Sequence, residues 1–352
     1  MDGDVHTYKA RLVAKGFTQT FGVDYEETFS PVANIRAIMI LIAMAAFYNY
    51  KIWQIDVKTA FLNGHLFKEV YMVQPEGETA YILGIKIYTD RSRRSIGLCQ
   101  SAYIEKILKI YFKENSKCRT IPMQEKLKLR SIMYAVRCTL PDVAFAQNIT
   151  SRFQQNPGEL HWTTVKNILK YLRNTKDMFL VYGGNMKREL RVSCYTDAGY
   201  LTDVDDLKSQ TGYVSVLNGG AVDWKSTKQS IFATSSTDAK YIAAFDASKE
   251  AVWIRKFISG LDIVSTIEEP ITMYYDNTRA IAVAKDHGVT KGASHFHVKV
   301  HYLQETIEME DVKIEKVDTD DNLVDPFTKA LAYPKHSELT KNIGLIPASS
   351  LM

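Results

Sequence analysis

The order of strand and helix patterns after about residue 190 limits the fold of this chain more than any other feature. Alternating apolar segments at residues 190–196, 212–217 and 221–225 predict three successive antiparallel strands. A long amphipathic run at residues 239–259 follows them, and it predicts a helix that packs across those strands. This part of the chain is therefore expected to form a sheet covered by at least one long helix.

The rest of the C-terminal pattern adds two more strands. A short apolar strand is predicted at residues 271–275, a helix at 279–285 and an alternating strand at 312–317. Pro326 suits the first turn of a closing helix. Helices placed between the first three strands and the last two predict an α/β (mixed α+β) fold, with a mixed five-stranded sheet and helices packed on it.

The first half of the chain is less regular. Apolar periodicity predicts helices at residues 33–48, 102–112, 134–153 and 160–172, and strands at 50–57 and 81–88. Because 46% of the 352 residues are hydrophobic, the chain can bury two globular cores, or one core and a remnant of another.

Cysteine spacing and the N-terminal sequence indicate the compartment. The four cysteines lie far apart without a C-x-x-C pair, which disfavours a zinc knuckle and a disulfide framework. The N-terminus has no apolar signal region, and the longest apolar stretch, residues 38–46, is too short to cross a bilayer. We expect an intracellular protein, in the cytoplasm or nucleus, without a membrane partner. The net charge of +4 fits a nucleic-acid partner and many ordinary enzymes alike.

Three aspartates stand where predicted strands give way to loops or helices: Asp197, Asp276 and Asp325. Strand ends of this kind meet at one edge of a sheet. Carboxylates gathered there can hold two Mg²⁺ ions about 4 Å apart, the arrangement that cleaves phosphodiester bonds. The alternative is structural, because aspartate is common at strand ends and helix caps.

Five ordered motifs favour the nuclease interpretation. They are residues 195–198 (YTDA), 208–213 (KSQTGY), 224–230 (WKSTKQS), 275–277 (YDN) and 324–329 (VDPFTK). Together they resemble the ribonuclease H domain in the Pol polyproteins of copia-type LTR retrotransposons. The resemblance implies a ribonuclease H-like fold, Mg²⁺ as cofactor, and an RNA–DNA hybrid or other nucleic acid as partner. It also implies that Asp197, Asp276 and Asp325 are three of the four metal-binding acids.

The fourth metal-ligand position departs from the family pattern. That pattern has a glutamate where this chain has Lys240, and an ammonium group there removes a ligand and repels Mg²⁺. Asp238 is a poor substitute, because two residues along a helix turn the side chain away by about 200°. Gly199 replaces another acid of the pattern. We therefore expect weak or absent nuclease activity.

The N-terminal segment resembles the start of a copia-type reverse transcriptase. The matching stretches are residues 8–17 (YKARLVAKGF), 29–32 (FSPV) and 54–64 (QIDVKTAFLNG). By this resemblance Lys9 and Arg11 contact the phosphates of the incoming nucleotide. Asp56 is the first palm aspartate, and Phe61 excludes the ribose 2′-hydroxyl.

The polymerase palm is incomplete. No Tyr-x-Asp-Asp turn occurs in the chain, so two of the carboxylates of the polymerase metal site are missing. Residues 75–77 (PEG) run almost directly into residues 81–87 (YILGIKI), which resemble a segment beyond that turn, and a shorter loss is predicted near residue 130. The helix and strand at residues 38–56 thereby lose surfaces that they would bury, so we expect them to be loose or to pack onto other neighbours.

From residue 133 onward the match resumes with the region that connects polymerase and ribonuclease H, including residues 141–146 (PDVAFA) and 161–162 (HW). We expect a truncated reverse transcriptase fingers and palm at 1–78 and a remnant of palm end, thumb and connection at 79–186. A ribonuclease H-like domain is expected at 187–334, followed by a C-terminal tail at 335–352.

The leading functional hypothesis is a retrotransposon-derived fragment with an inactive polymerase and an impaired ribonuclease. Whether the chain is an enzyme is left open, since both family activities, RNA-directed DNA polymerase and hybrid ribonuclease, are expected to be lost or weakened. A residual Mg²⁺-dependent ribonuclease is one alternative. Another is a non-catalytic nucleic-acid-binding protein that uses Lys225, Lys228, Arg255 and Lys256, although solvated charged faces look the same. The spacing of His295, His297 and His301 permits the hypothesis of a zinc site, but packing or surface roles are favoured.

Overall fold

The computed structural model describes residues 34–54, 77–112, 126–185, 189–203, 205–263, 269–285 and 297–351. The chain divides into two compact units, Met1–Ala33 with Val57–Val70, and Asn34–Asp56 with Tyr71–Met352. All described residues belong to the second unit. Lys9, Arg11, Asp56, Phe61 and His295 lie outside the described residues, so the roles assigned to them stay predictions.

Ten strands are found in the described ranges. They are β1 (Tyr81–Ile82), β2 (Ile85–Asp90), β3 (Ser95–Cys99), β4 (Met178–Gly183), β5 (Val192–Gly199), β6 (Gln210–Leu217), β7 (Gly220–Lys228), β8 (Ile271–Tyr275), β9 (Val312–Lys316) and β10 (Leu345–Pro347). They form two five-stranded sheets, and these sheets with the helices described next make a mixed α/β structure, as predicted.

Ten α-helices accompany the strands in the same ranges. They are α1 (Ile35–Tyr48), α2 (Ser101–Phe112), α3 (Lys126–Cys138), α4 (Ala144–Ser151), α5 (Glu159–Asn174), α6 (Ser236–Ser259), α7 (Thr278–Lys285), α8 (His297–Glu308), α9 (Asp325–Thr328) and α10 (Tyr333–Asn342). None of these helices is both long and apolar enough to span a membrane.

The C-terminal sheet has the strand order β7-β6-β5-β8-β9. Strands β5, β6 and β7 are antiparallel neighbours, whereas β5 pairs with β8, and β8 with β9, in parallel. The predicted mixed five-stranded sheet is thereby confirmed. The apolar and alternating patterns predict these strands, and a short turn at residues 218–219 joins β6 to β7.

The long helix α6 lies against β5 and β6 of this sheet and also contacts α8. It begins after Ser235, whose hydroxyl accepts a hydrogen bond of 3.1 Å from the backbone N–H of Asp238, and it ends at Gly260. The helix buries small and aliphatic side chains along its sheet-facing side, among them Ala239, Ala243 and Ala247. This packing fixes which residues of the first two turns point toward the strand ends.

The N-terminal sheet has the order β1-β2-β3-β4-β10 and is antiparallel throughout. The single strand predicted at residues 81–88 is instead a hairpin, because Leu83 and Gly84 adopt positive φ angles of 49° and 77°. Residues 345–347, within the segment predicted as a tail, form β10 against β4. The predicted domain boundaries stay a prediction.

Two predicted elements of the first half differ from the structure. The helix predicted at residues 134–153 is interrupted: α3 ends at Cys138, and a 3-10 turn at Pro141–Val143 precedes α4. Proline removes a backbone donor and breaks the helix at that point. Residues 51–54 of the strand predicted at 50–57 have no regular structure, and residues 55–57 lie outside the described ranges.

Helix α1 packs onto neighbouring elements, one of the two outcomes expected for this segment. It contacts β3 and β4 of the first sheet and β7 of the second. Its predicted span, residues 33–48, is close to the observed Ile35–Tyr48, with Asn34 as the N-cap.

Candidate active site

Two of the predicted site aspartates meet at one edge of the C-terminal sheet. Asp197 lies near the C-terminal end of β5, and Asp276 directly follows the parallel neighbour β8. Asp325 begins α9, which contacts β5, β6 and β7. All three carboxyl side chains are 7% exposed or less.

A lysine lies between two of these carboxylates. The Nζ atom of Lys240 is 2.9 Å from Asp197 Oδ1 and 2.7 Å from each carboxylate oxygen of Asp276. Lys240 occupies the second turn of α6, between the buried residues Ala239 and Tyr241. The N-cap at Ser235 and the packing of α6 on the sheet therefore aim this ammonium at the strand ends.

The charges of the site perturb one another. Burial lowers the pKa of Lys240, but the nearby Asp197 and Asp276 raise it by more, so its pKa is raised overall and the side chain is an ammonium ion. Burial raises the pKa of Asp197, and the like charge of Asp276 raises it too. Lys240 lowers this pKa, but by less, so the pKa of Asp197 is raised overall. One ammonium thus holds together two carboxylates that would otherwise repel.

Asp325 has a different partner. Its Oδ2 atom is 2.8 Å from Nζ of Lys329, one turn later, while its buried Oδ1 atom has no hydrogen-bond partner among the described residues. Burial raises the pKa of Asp325; Lys329 lowers it and Asp276 raises it, and the net shift is upward. The charge of Asp276 thus acts on Asp325, but Asp325 is not in the ion pair that Lys240 makes with Asp197 and Asp276.

Side chains from the quoted motifs support the aspartates. Thr328 Oγ1 donates to Asp197 Oδ2 at 3.2 Å, and Ser226 Oγ donates to the carbonyl oxygen of Phe327 at 2.6 Å. Gln210 Nε2 in turn donates to Ser226 Oγ at 2.7 Å. Sequence reasoning assigned no role to these residues, although each lies within or beside a motif that carries the family resemblance.

The two other departures from the family pattern also have structural consequences. A Cβ atom on Gly199 would lie 2.7 Å from Thr202 Cγ2 and 2.8 Å from the carbonyl oxygen of Thr328, so an acid at this position requires the backbone to move. Asp238 accepts a hydrogen bond from the hydroxyl of Thr234 at the head of α6. Asp238 thus has its partner at the head of α6, whereas Lys240 contacts Asp197 and Asp276.

The residues present do not fit the two-metal site that the resemblance implies. In the part of the chain that the structure describes, no group of three or more acidic, histidine or cysteine side chains is arranged to hold a metal ion. The reason is visible at Lys240, since its ammonium lies where a cation would have to contact both Asp197 and Asp276.

The four basic residues considered for nucleic-acid binding do not form one patch. Lys225 and Lys228 lie on β7, at one edge of the sheet, whereas Arg255 pairs with Asp311 just before β9, at the opposite edge. Lys228 is also paired, at 3.2 Å from Asp203 and 2.9 Å from Asp206. Lys225 and Lys256 are exposed.

The histidine run is described in part. His301 lies within α8, which begins at His297. The zinc reading needs His295 as well, which the structure does not describe, so it stays untested.

Comparison with known proteins finds a family match at the N-terminus and relatives that align with nearly the whole chain. The family described as reverse transcriptase (RNA-dependent DNA polymerase) matches residues 2–81. The retrovirus-related Pol polyprotein from transposon TNT 1-94 of Nicotiana tabacum is 30% identical over 466 positions, which cover 98% of this chain and 35% of that protein. The alignment is longer than the 352 residues of this chain, so internal stretches of the relative have no counterpart here.

Two further likenesses are less extensive. The secreted RxLR effector protein 161 of Plasmopara viticola is 39% identical over 126 residues, which cover 35% of this chain and 86% of that protein. A solved foamy viral protease-reverse transcriptase in complex with double-stranded DNA is 14% identical, covers 70% of this chain and 38% of that chain, and has a TM-score of 0.39.

The similarity to the tobacco polyprotein extends over nearly the whole chain, and this chain spans about a third of that relative's length. It covers both the polymerase-like and the ribonuclease H-like motifs in their expected order. Over nearly its whole length the chain is similar to retrovirus-related Pol polyproteins of copia-type plant transposons, at 26–30% identity, and its residues 2–81 match the reverse transcriptase family.

Proposed function

We propose that the chain is a reverse transcriptase and ribonuclease H fragment in which both catalytic centres are disabled. The observation that carries the ribonuclease part of this proposal is the ion pair of Lys240 with Asp197 and Asp276. The ammonium supplies in cis the positive charge that a divalent cation supplies in the family. It offers no coordination site for water or for a phosphate oxygen, so it cannot activate a nucleophile as a metal ion does.

Displacement of Lys240 by a metal ion is electrostatically unfavourable. Mg²⁺ would have to approach two carboxylates already neutralised in part by an ammonium, and it would be repelled by that ammonium unless the side chain moved away. The Lys240 side chain is only 18% exposed, so moving it out also breaks contacts with two buried acids. Weak metal affinity follows, and with it a weak or absent ribonuclease.

The polymerase part of the proposal depends on sequence alone. Asp56 is present, but the Tyr-x-Asp-Asp turn that would supply the partner carboxylates is missing from the chain. The unmatched stretches in the alignment with the tobacco relative support the predicted loss of the intervening palm, although they do not place it. A single palm aspartate cannot hold two catalytic metal ions.

The test is cleavage of a labelled RNA–DNA hybrid by the purified chain with Mg²⁺ or Mn²⁺, beside Lys240→Glu. We expect no cleavage above background by the unchanged chain. Cleavage by Lys240→Glu that disappears in Lys240→Glu/Asp276→Asn would show that one side chain disables an otherwise complete centre. Lys249→Glu makes the same charge change at an exposed position of the same helix, and this variant should not cleave the hybrid.

The alternative, a residual Mg²⁺-dependent ribonuclease, gives the opposite result. If the unchanged chain cuts the hybrid and Asp276→Asn does not, Lys240 does not block the site. The non-catalytic nucleic-acid binder gains no support from the basic residues, because Lys228 on β7 and Arg255 on α6 are each paired with acids. A partner of that kind stays a proposal, tested by whether hybrid affinity falls with added salt.

A further inference from the structure

Helix α1 is unusually apolar for a helix that sequence assigns to a polymerase remnant. Of its residues Ile35–Tyr48, only Arg36 carries a charge, and the buried members are Ile38, Met39, Ile40, Ile42, Ala43, Met44, Ala45 and Ala46. A helix with so wide an apolar surface cannot stay in water and must be covered by protein. The covering elements are β3 and β4 of one sheet and β7 of the other.

Arg36, in the first turn of α1, anchors the helix to the C-terminal sheet and its long helix. Its guanidinium is 3.4 Å from Asp223 Oδ2 on β7, and it also pairs with Glu250 on α6. The same group lies 4.4 Å from the centre of the Trp253 ring, a cation–π geometry. Asp223 is buried, so Arg36 is the cation that compensates its charge.

Polar contacts along the rest of α1 fix its position against β4 and the turn between β6 and β7. Asn218, in the turn between β6 and β7, donates through Nδ2 to the carbonyl oxygen of Ala43 at 3.0 Å. Tyr182 of β4 places its hydroxyl 3.2 Å from Met39 Sδ and donates to the carbonyl oxygen of Ala221 at 2.7 Å. These partners belong to both sheets, so α1 contacts the two sheets at once.

We infer that the surface between β3, β4 and β7 is a helix-binding groove, and that α1 is the ligand that holds the two sheets and α6 together. The partner chemistry is a short apolar helix with an arginine in its first turn. Without that helix, Asp223 and Asn218 would lose these partners, and the apolar walls of the groove would meet water. The polymerase remnant is thus a structural component of the ribonuclease H-like body.

The inference also connects α1 with the candidate active site, although it does not depend on the proposed function. Glu250 and Trp253 lie on α6, the helix that carries Lys240. Glu250 is ten residues beyond Lys240, which corresponds to about 15 Å along the helix axis. Loss of α1 should therefore loosen α6 as well as β7.

A double-mutant cycle in the full chain tests the Arg36 anchor. Arg36→Met and Glu250→Gln, alone and together, are compared by urea unfolding followed by circular dichroism. Residues in contact couple, so we expect the double variant to deviate from the product of the single effects on the unfolding constant by about fivefold or more. A matched cycle of Arg36→Met with Glu105→Gln, an exposed acid on α2, should be multiplicative. If the effects of Arg36→Met and Glu250→Gln on the unfolding constant simply multiply, Arg36 does not anchor α1 through Glu250.

A peptide experiment tests the groove itself. Ala43→Arg places a long cation at a fully buried position of α1 and prevents docking in cis, whereas Leu41→Arg changes a position that is 44% exposed. A fluorescent peptide of residues 34–50 should bind Ala43→Arg and bind neither Leu41→Arg nor the unchanged chain. If Ala43→Arg unfolds with an unchanged midpoint and binds no peptide, the groove does not require α1. If Ala43→Arg fails to fold while Leu41→Arg folds, α1 docking is required, and the cycle then measures its strength.

Discussion

Replacing Lys240 with methionine should destabilise the folded chain, because methionine keeps the length of the side chain and removes its charge. Asp197 and Asp276 both lie within 3 Å of the same Nζ atom, so their carboxylates are roughly 5.5 Å apart or less. Two unit charges at that separation repel by about 3 kcal/mol at an effective dielectric constant of about 20. Breaking a buried ion pair by removing one partner typically costs about 3–5 kcal/mol. We expect a loss of that order in the free energy of unfolding at pH 7.

The pH dependence of this loss gives an independent check. The pKa of Asp197 is already raised in the presence of Lys240, and without the ammonium it rises further. Protonation of Asp197 removes the repulsion, so the difference in stability between Lys240→Met and the unchanged chain should shrink as the pH falls below neutrality. Urea unfolding at pH 7 and pH 5 measures this difference in the free energy of unfolding. Lys249→Met is an exposed control, and its free energy of unfolding should change by less than about 0.5 kcal/mol. A loss below about 1 kcal/mol at pH 7 would refute the electrostatic reasoning.

Three further predictions concern Asp223, Gly199 and Thr328. Burial raises the pKa of Asp223 from 3.8 to about 6, with Arg36 opposing this shift, so the folded chain should lose stability as the pH rises through about 6. Asp223→Asn should lack this dependence, and its stability relative to the unchanged chain should change by about 2.5 kcal/mol between pH 4 and pH 7 in urea titrations. Gly199→Ala should lower the melting temperature, because its Cβ would lie 2.8 Å from the carbonyl oxygen of Thr328; an unchanged value would contradict the packing there. Thr328→Val should cost about 1 kcal/mol by removing the hydrogen bond to buried Asp197, as measured by chemical denaturation, and a change within error would show that this bond contributes nothing.

The C-terminal sheet was largely predictable because its signals are local. The strand at residues 271–275 has the bounds that its apolar run predicted, and α6 has the cap and terminating glycine that the sequence supplies. Each of these signals extends over fewer than 25 residues and does not depend on distant contacts.

The N-terminal sheet was largely missed because it is assembled from distant segments. Strand β3 is fully buried and therefore shows no alternation; it pairs with the adjacent strand β2 and with β4, which lies about eighty residues later. Strand β10 is three residues long and acquires its structure by pairing Leu345 with Leu180. Such strands are specified by the tertiary contacts that cover them, which a local pattern does not contain.

At the candidate site, the sequence singled out candidate side chains but did not predict how they pair. Strand ends singled out Asp197 and Asp276, and the resemblance singled out Lys240 as a replaced ligand. The direct ion pair among these three, and the separate pairing of Asp325 with Lys329, depend on how α6 and α9 pack on the sheet. The supporting hydroxyls of Thr328 and Ser226 were hidden for the same reason.

The most direct test of the account is Mn²⁺ binding by the purified chain, measured by electron paramagnetic resonance of free Mn²⁺ for the unchanged chain, Lys240→Glu and Lys240→Glu/Asp276→Asn. We predict no specific binding by the unchanged chain, binding by Lys240→Glu, and loss of that binding in the double variant. Specific binding by the unchanged chain that Asp276→Asn abolishes would contradict the claim that the Lys240 ammonium takes the place of the metal ion.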